Sequence, residues 1–137
     1  EGAKNVMGAA CYTTTFTLKS PADVEEWMLD LGDVRESARV RINGQAVATL
    51  IAVPYRCLVG KYLCLGENIL EVEVTNLPAN RIADMDRREI PWRIFKDANI
   101  VSLDYKKTGY GNWEPVSSGL IGPVKVIPMK KGTFYYE

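Results

Sequence analysis

Polar and apolar residues alternate along several short stretches of the chain. Tyr12, Thr14, Phe16 and Leu18 fall on one side and Thr13, Thr15, Thr17 and Lys19 on the other, the two-residue period of a half-buried strand rich in threonine and aromatics. Ser20-Pro21-Ala22-Asp23 reads as a turn. Between Val24 and Leu31 the signal is mixed. Glu25, Glu26 and Met28 suit a helix, yet Trp27, Leu29 and Leu31 alternate with Met28 and Asp30, so the later half reads as strand. Ala38, Val40 and Ile42 alternate with Arg39, Arg41 and Asn43 in the next strand. Asn43-Gly44 tolerates the positive φ angles of a type I′ turn, so Gln45 to Val53 is expected to return as its hairpin partner, closed by Pro54. Gly66-Glu67-Asn68 reads as a second turn. It leads to a strand with Leu70, Val72 and Val74 toward the core and Glu71, Glu73 and Thr75 toward solvent.

From Leu77 to Ser118 the alternation breaks down among Pro78, Pro91, Gly109, Gly111 and Pro115, with a strand-like run only at Ile100 to Tyr105. A connection this long inside a compact domain is uncommon and often functional. Strand character resumes from Gly119 to Pro128, and Thr133 to Tyr136 suggests a short terminal strand. No helical period, internal repeat or dividing linker is evident. The expected fold class is all-β: an antiparallel β-sandwich of about eight strands with a long irregular insertion, built as a single domain over residues 1–137.

Composition narrows the function. A length of 137 residues suits one domain with a substantial core. Lys plus Arg and Asp plus Glu each number 17, so no strong field draws in nucleic acid or an anionic membrane. No apolar run approaches the about 18 residues of a membrane span. The chain opens at Glu1 without a signal peptide, and is expected to be a piece excised from a larger chain. The three cysteines, Cys11, Cys57 and Cys64, cannot all pair with one another, and their strand-like surroundings predict buried free thiols. Histidine is absent, which excludes Ser-His-Asp, Cys-His and histidine-containing zinc sites within this chain.

Two groups of residues could carry chemistry. Asp84, Asp86 and Glu89 lie close in sequence and suggest a calcium site or a glycosidase-type carboxylate pair. The plainer reading is a solvated loop in which they pair with Arg81, Arg87 and Arg88. Trp92, Tyr105, Tyr110 and Trp113 offer ring faces on which the C–H face of a sugar can lie, with Asn112 and Glu114 placed to bond its hydroxyls. The plainer reading is that these aromatics cap the open end of the sandwich core. Trp27 reads as core, Asn76 and Asn80 as turn residues bonded to backbone, and Arg81 as the partner of a nearby acid.

The segment Leu29-Asp-Leu-Gly-Asp-Val-Arg-Glu-Ser-Ala-Arg-Val-Arg-Ile-Asn-Gly-Gln45 resembles the galactose-binding-like β-sandwich domains of glycoside hydrolases, of family 2 and of the family 106 α-L-rhamnosidases. Pro54-Tyr55-Arg56 and Leu65 to Asn76 fit the same pattern. Val74 to Ile82 and Ser118 to Val124 are similar to the rhamnosidase-like branch, whereas Asp84 to Asp97 and the tail after Pro128 match nothing in it. The resemblance implies a jelly-roll module beside a catalytic barrel. It implies that the catalytic carboxylates belong to the barrel, that no cofactor is required, and that the partner is the catalytic domain of the same polypeptide. It also implies a secreted or periplasmic, bacterial setting. An independent carbohydrate-binding module using the loop aromatics is the alternative. Less favoured are a small enzyme using carboxylates alone and a cell-surface protein-interaction module.

Overall fold

The computed structural model describes residues 5–19, 24–93, 109–130 and 132. The expected turn at Ser20-Asp23 and the strands at Ile100-Tyr105 and Thr133-Tyr136 lie outside them. The chain divides into two compact units, one of residues 9–76 and 118–137, the other of residues 1–8 and 77–117.

The larger unit holds all nine strands found among the described residues: β1 (Ala9–Leu18), β2 (Glu26–Asp30), β3 (Asp33–Arg35), β4 (Ser37–Ile42), β5 (Gln45–Leu50), β6 (Arg56–Leu58), β7 (Gly66–Thr75), β8 (Gly119–Gly122) and β9 (Lys125–Met129). A four-stranded sheet runs β1-β7-β4-β5, a three-stranded sheet β6-β2-β9, and β3 pairs with β8. Every pairing is antiparallel. The register sets Ile42 opposite Leu70, Val40 opposite Val72 and Ala38 opposite Val74, so two alternating strands present one continuous apolar face. Leu29, Leu31, Val34, Tyr55 and Val59 complete a buried cluster with those six residues. Full burial of such an aliphatic side chain contributes about 1.5–3 kcal/mol relative to exposure. This is an all-β antiparallel sandwich, as the alternation predicts.

Turn chemistry fixes two of the junctions. Asn43 and Gly44 take φ of 50° and 77°, which fits the primed turn expected between β4 and β5. Gly32, at φ 67°, sits so close to the β8 end that an added Cβ would lie 2.5 Å from the Gly122 carbonyl carbon. Only glycine satisfies both demands.

Several local expectations need correction. Gly66, Glu67 and Asn68 do not form a turn: β7 already begins there and pairs them with Leu18, Thr17 and Phe16. Asn68 is fully buried, and its amide replaces turn chemistry with a closed network. It accepts from the Cys64 N–H at 2.9 Å and from the Asn43 amide at 2.9 Å, and donates to the carbonyls of Cys64 at 2.8 Å and Gly66 at 3.1 Å. The hairpin return stops at Leu50 instead of Val53, leaving Ile51, Ala52 and Val53 as exposed loop. β1 is less buried than its pattern suggests, with Phe16 and Leu18 half-buried and the rest exposed, because β7 is its one pairing neighbour among the described residues. The thiols of Cys11 and Cys64 are exposed; only Cys57 is half-buried, and burial pushes its thiol up. Trp27 packs against the core cluster as expected.

The smaller unit contains α1 (Ala79–Arg87), where no helix is expected from the sequence. Its buried residues are Asn80, Ala83 and Asp84, so the inward stripe is small and polar and leaves no apolar period to read. Arg81 and Arg88 lie one turn to either side of Asp84, each at 3.4 Å from its carboxylate, and support the helix.

Asn68→Ala is expected to destabilise the chain by roughly 2–4 kcal/mol in urea unfolding, because it strands buried groups around it. An unchanged midpoint would remove the network from the fold's supports. The Gly32 N–H at 2.9 Å, and behind it the Arg56 guanidinium at 2.8 Å, hold the Asp30 carboxyl below its ordinary value. A depressed folded-state pKa contributes stability above the unfolded value and loses it as pH falls. Melting of the wild type should therefore decline more steeply below about pH 4 than melting of Asp30→Asn, and parallel profiles would contradict this.

Candidate carbohydrate-contact site

The smaller unit is organised by two carboxylates of α1. Asp84 takes a hydrogen bond from the Asn5 amide at 3.1 Å besides its two arginines. Asp86 reaches the segments that follow: it accepts from the Trp92 indole N–H and from the Tyr110 backbone N–H at 2.7 Å, and pairs with Arg93 at 3.6 Å. The two aspartates are thus matched with donors and cations. No three Asp, Glu, Cys or His side chains converge as metal ligands among the described residues. Glu89 lies past the helix end at φ 53°, exposed, its N–H bonded to the Asp86 carbonyl. Asn80 and Val116 bond reciprocally, amide to backbone, both at 2.9 Å, which ties the helix to the return of the chain.

Three of the four aromatics singled out in the sequence come together. Trp92 and Tyr110 have ring centroids 6.0 Å apart, and Tyr110 meets Trp113 edge-on at 4.6 Å. Both separations lie in the favoured range for aromatic pairs. The Arg93 guanidinium carbon lies 5.0 Å from the Trp92 centroid and 5.4 Å from that of Tyr110, within cation–π reach. Sequence reading missed Arg93 and the organising role of Asp86, since nothing in the spacing shows that one carboxylate bonds residues on both sides of the connection. Trp113 remains 50% exposed, with Asn112 and Glu114 exposed beside it. Tyr105 lies outside the described residues. The arrangement offers a half-exposed indole, two exposed hydrogen-bonding side chains next to it in sequence, and two further rings packed edge-on and tilted against one another.

A concavity of about 530 Å³ lies on the outer face of the four-stranded sheet and is lined by Cys11, Arg39, Arg41, Val47, Glu71 and Glu73 among others. Its charges are matched across strands, Arg39 with Glu73 at 3.3 Å and Arg41 with Glu71 at 4.0 Å. The alternation shows that these residues face solvent, but not that the β4–β5 register shifts between Val40 and Arg41 within this lining.

The Formosa agariphila putative β-glucuronidase is 37% identical to this chain in an alignment 147 positions long, gaps included, that covers 92% of this chain and 12% of that protein. The rhamnosidase of Novosphingobium sp. PP1Y superposes with a TM-score of 0.69 at 29% identity, over 91% of this chain and 11% of the enzyme. The β-D-mannosidase of Dictyoglomus thermophilum shares the fold, with a TM-score of 0.56 at 18% identity over 90% of this chain and 16% of that one. The chain therefore spans about an eighth of the length of the curated relative it matches. The family model for the glycosyl hydrolase 2 galactose-binding domain-like group matches residues 6–125, and the chain belongs to that family.

Proposed function

We propose that this chain is a non-catalytic accessory domain of a larger glycoside hydrolase, α-L-rhamnosidase-like or family 2-like, seated beside the catalytic domain of the same polypeptide and acting in a secreted or periplasmic setting. The observation that carries the reading is the proportion: nearly all of this chain aligns with only 12% of its relative. Its own chemistry agrees. Histidine is absent, and the described carboxylates of α1 and of the outer groove are engaged with arginines. Those pairs suit positioning rather than the free proton donor that glycoside cleavage needs. The purified 137-residue chain should release no nitrophenol from aryl rhamnosides, galactosides or glucuronides above the buffer rate. Turnover that persists through purification would overturn the reading.

A second role is compatible with the first. The cluster of Trp92, Tyr110 and Trp113, with one ring half-exposed, favours direct sugar contact by the smaller unit. Calorimetric titration with rhamnose- and galactose-terminated oligosaccharides should then give millimolar or tighter binding, weakened roughly tenfold or more by Trp113→Ala, since stacking faces rank among the strongest single contributors to recognition. No heat of binding to any of these sugars would count against it.

A further inference from the structure

One end of the sandwich carries apolar side chains that nothing in the described residues covers. The loop between β5 and β6 holds Ile51 at 78% exposure and Val53 at 81%, and the segment around β8 adds Ile121 at 52% and Val124 at 38%. The strand register gathers them. Leu50 pairs with Ala38 at the start of β4, so Ile51 leaves the sheet at that end. The Tyr55 carbonyl accepts from the Leu31 N–H at 2.9 Å, so the loop lands beside the end of β2. On the other flank of β2, Asp30 pairs with Lys125, which sets Val124 at the same level. Ile121 is the extra residue where the β3–β8 register shifts, between Leu120 opposite Val34 and Gly122 opposite Asp33.

The loop is tied to the core. Tyr55 is buried, and its hydroxyl donates to the Glu36 carbonyl. The Arg56 N–H closes on the Pro54 carbonyl at 2.9 Å. Two ion pairs border the rim, Arg35 with Asp33 at 2.8 Å and Arg56 with Asp30 at 2.8 Å. An apolar centre bordered by ion pairs, on a loop tied to the core before contact, is the anatomy of a docking surface. Consecutive exposed apolar residues on a folded loop otherwise only weaken solubility.

We propose that this rim, centred on Ile51 and Val53, is where the chain docks on the remainder of a longer polypeptide. The occupant follows from proportion. A segment that makes up 12% of one relative and 11% of another has most of a protein as its neighbour, and the inference rests on the accessory-domain reading above.

The test compares amide hydrogen exchange of the peptides spanning Ile51–Arg56 in the isolated chain and in the full polypeptide encoded by its reading frame. Exchange is expected to slow roughly tenfold or more in the full polypeptide, as for amides taken out of solvent. In sedimentation, the isolated chain should associate with the remainder of the polypeptide, and the double variant Ile51→Ser, Val53→Ser should weaken that association roughly tenfold or more. Both side chains are exposed, so the melting temperature of the variant should stay that of the parent, which separates docking from folding. Equal exchange in the two contexts would overturn the proposal. So would protection already complete in the dilute isolated chain, which assigns the cover to the chain itself, or a homodimer abolished by the variant, which assigns it to a second copy. If the remainder associates equally with parent and variant, the accessory reading stands and only the surface is wrong. A reading frame with no further domain would overturn both.

Discussion

The amide groups of Asn43 and Asn68 meet at 2.9 Å, and much of the sandwich is registered on that contact. Asn43 sits in the β4–β5 turn, accepts from the Ile69 N–H at 2.9 Å and donates to the Tyr62 carbonyl at 3.0 Å. Asn68, with no exposed surface, gathers the Cys64–Gly66 backbone. A buried amide costs several hydrogen bonds' worth of hydration unless each donor and acceptor finds a partner. Here every one does so only when hairpin, connection and β7 hold their native register. A one-residue slip of β7 would turn Leu70, Val72 and Val74 to solvent and break the amide network in the same step. Apolar alternation says which face is inward; the paired asparagines say where along the strand the pairing begins.

That division of labour explains what the sequence reveals. The core strands were legible because β4 and β7 are buried on one face only, so Arg39, Arg41, Glu71 and Glu73 mark the other face. Asn43-Gly44 was legible because its turn depends on two adjacent residues. Asn68 was misread for the reason that makes it important: its partners lie up to 25 positions away, and locally it resembles a turn asparagine. The helix was hidden because it buries Asn80, Ala83 and Asp84, so hydrophobic periodicity had nothing to register. Of the aromatic site, residue types could be chosen from sequence. Their grouping could not, because it depends on Asp86 reaching Trp92 and Tyr110 from different parts of the connection.

The two units express different demands. The larger is centred on one apolar cluster and a satisfied amide network, which suits a framework shared among enzymes of different sugar specificity. Among its described residues the smaller has few buried apolar groups, and ion pairs and amide-to-backbone bonds link its segments. Such an assembly tolerates sequence change more readily than a close-packed core does. The glycosyl hydrolase 2 galactose-binding domain-like family model, which matches residues 6–125, takes in both units.

The pairing of β2 with β9 has a consequence for how the molecule assembles. Leu29 faces Val126 across that ladder, whereas β4 meets β5 through a two-residue turn. Closing a short loop sacrifices little chain entropy, but bringing β9 home requires the whole intervening chain to be drawn in first. The four-stranded sheet is thus placed to form early and the three-stranded sheet late. Until β9 arrives, β2 presents an open edge on that side. The long excursion after Asn76 therefore sets the interval during which the nascent domain is most exposed to wrong partners.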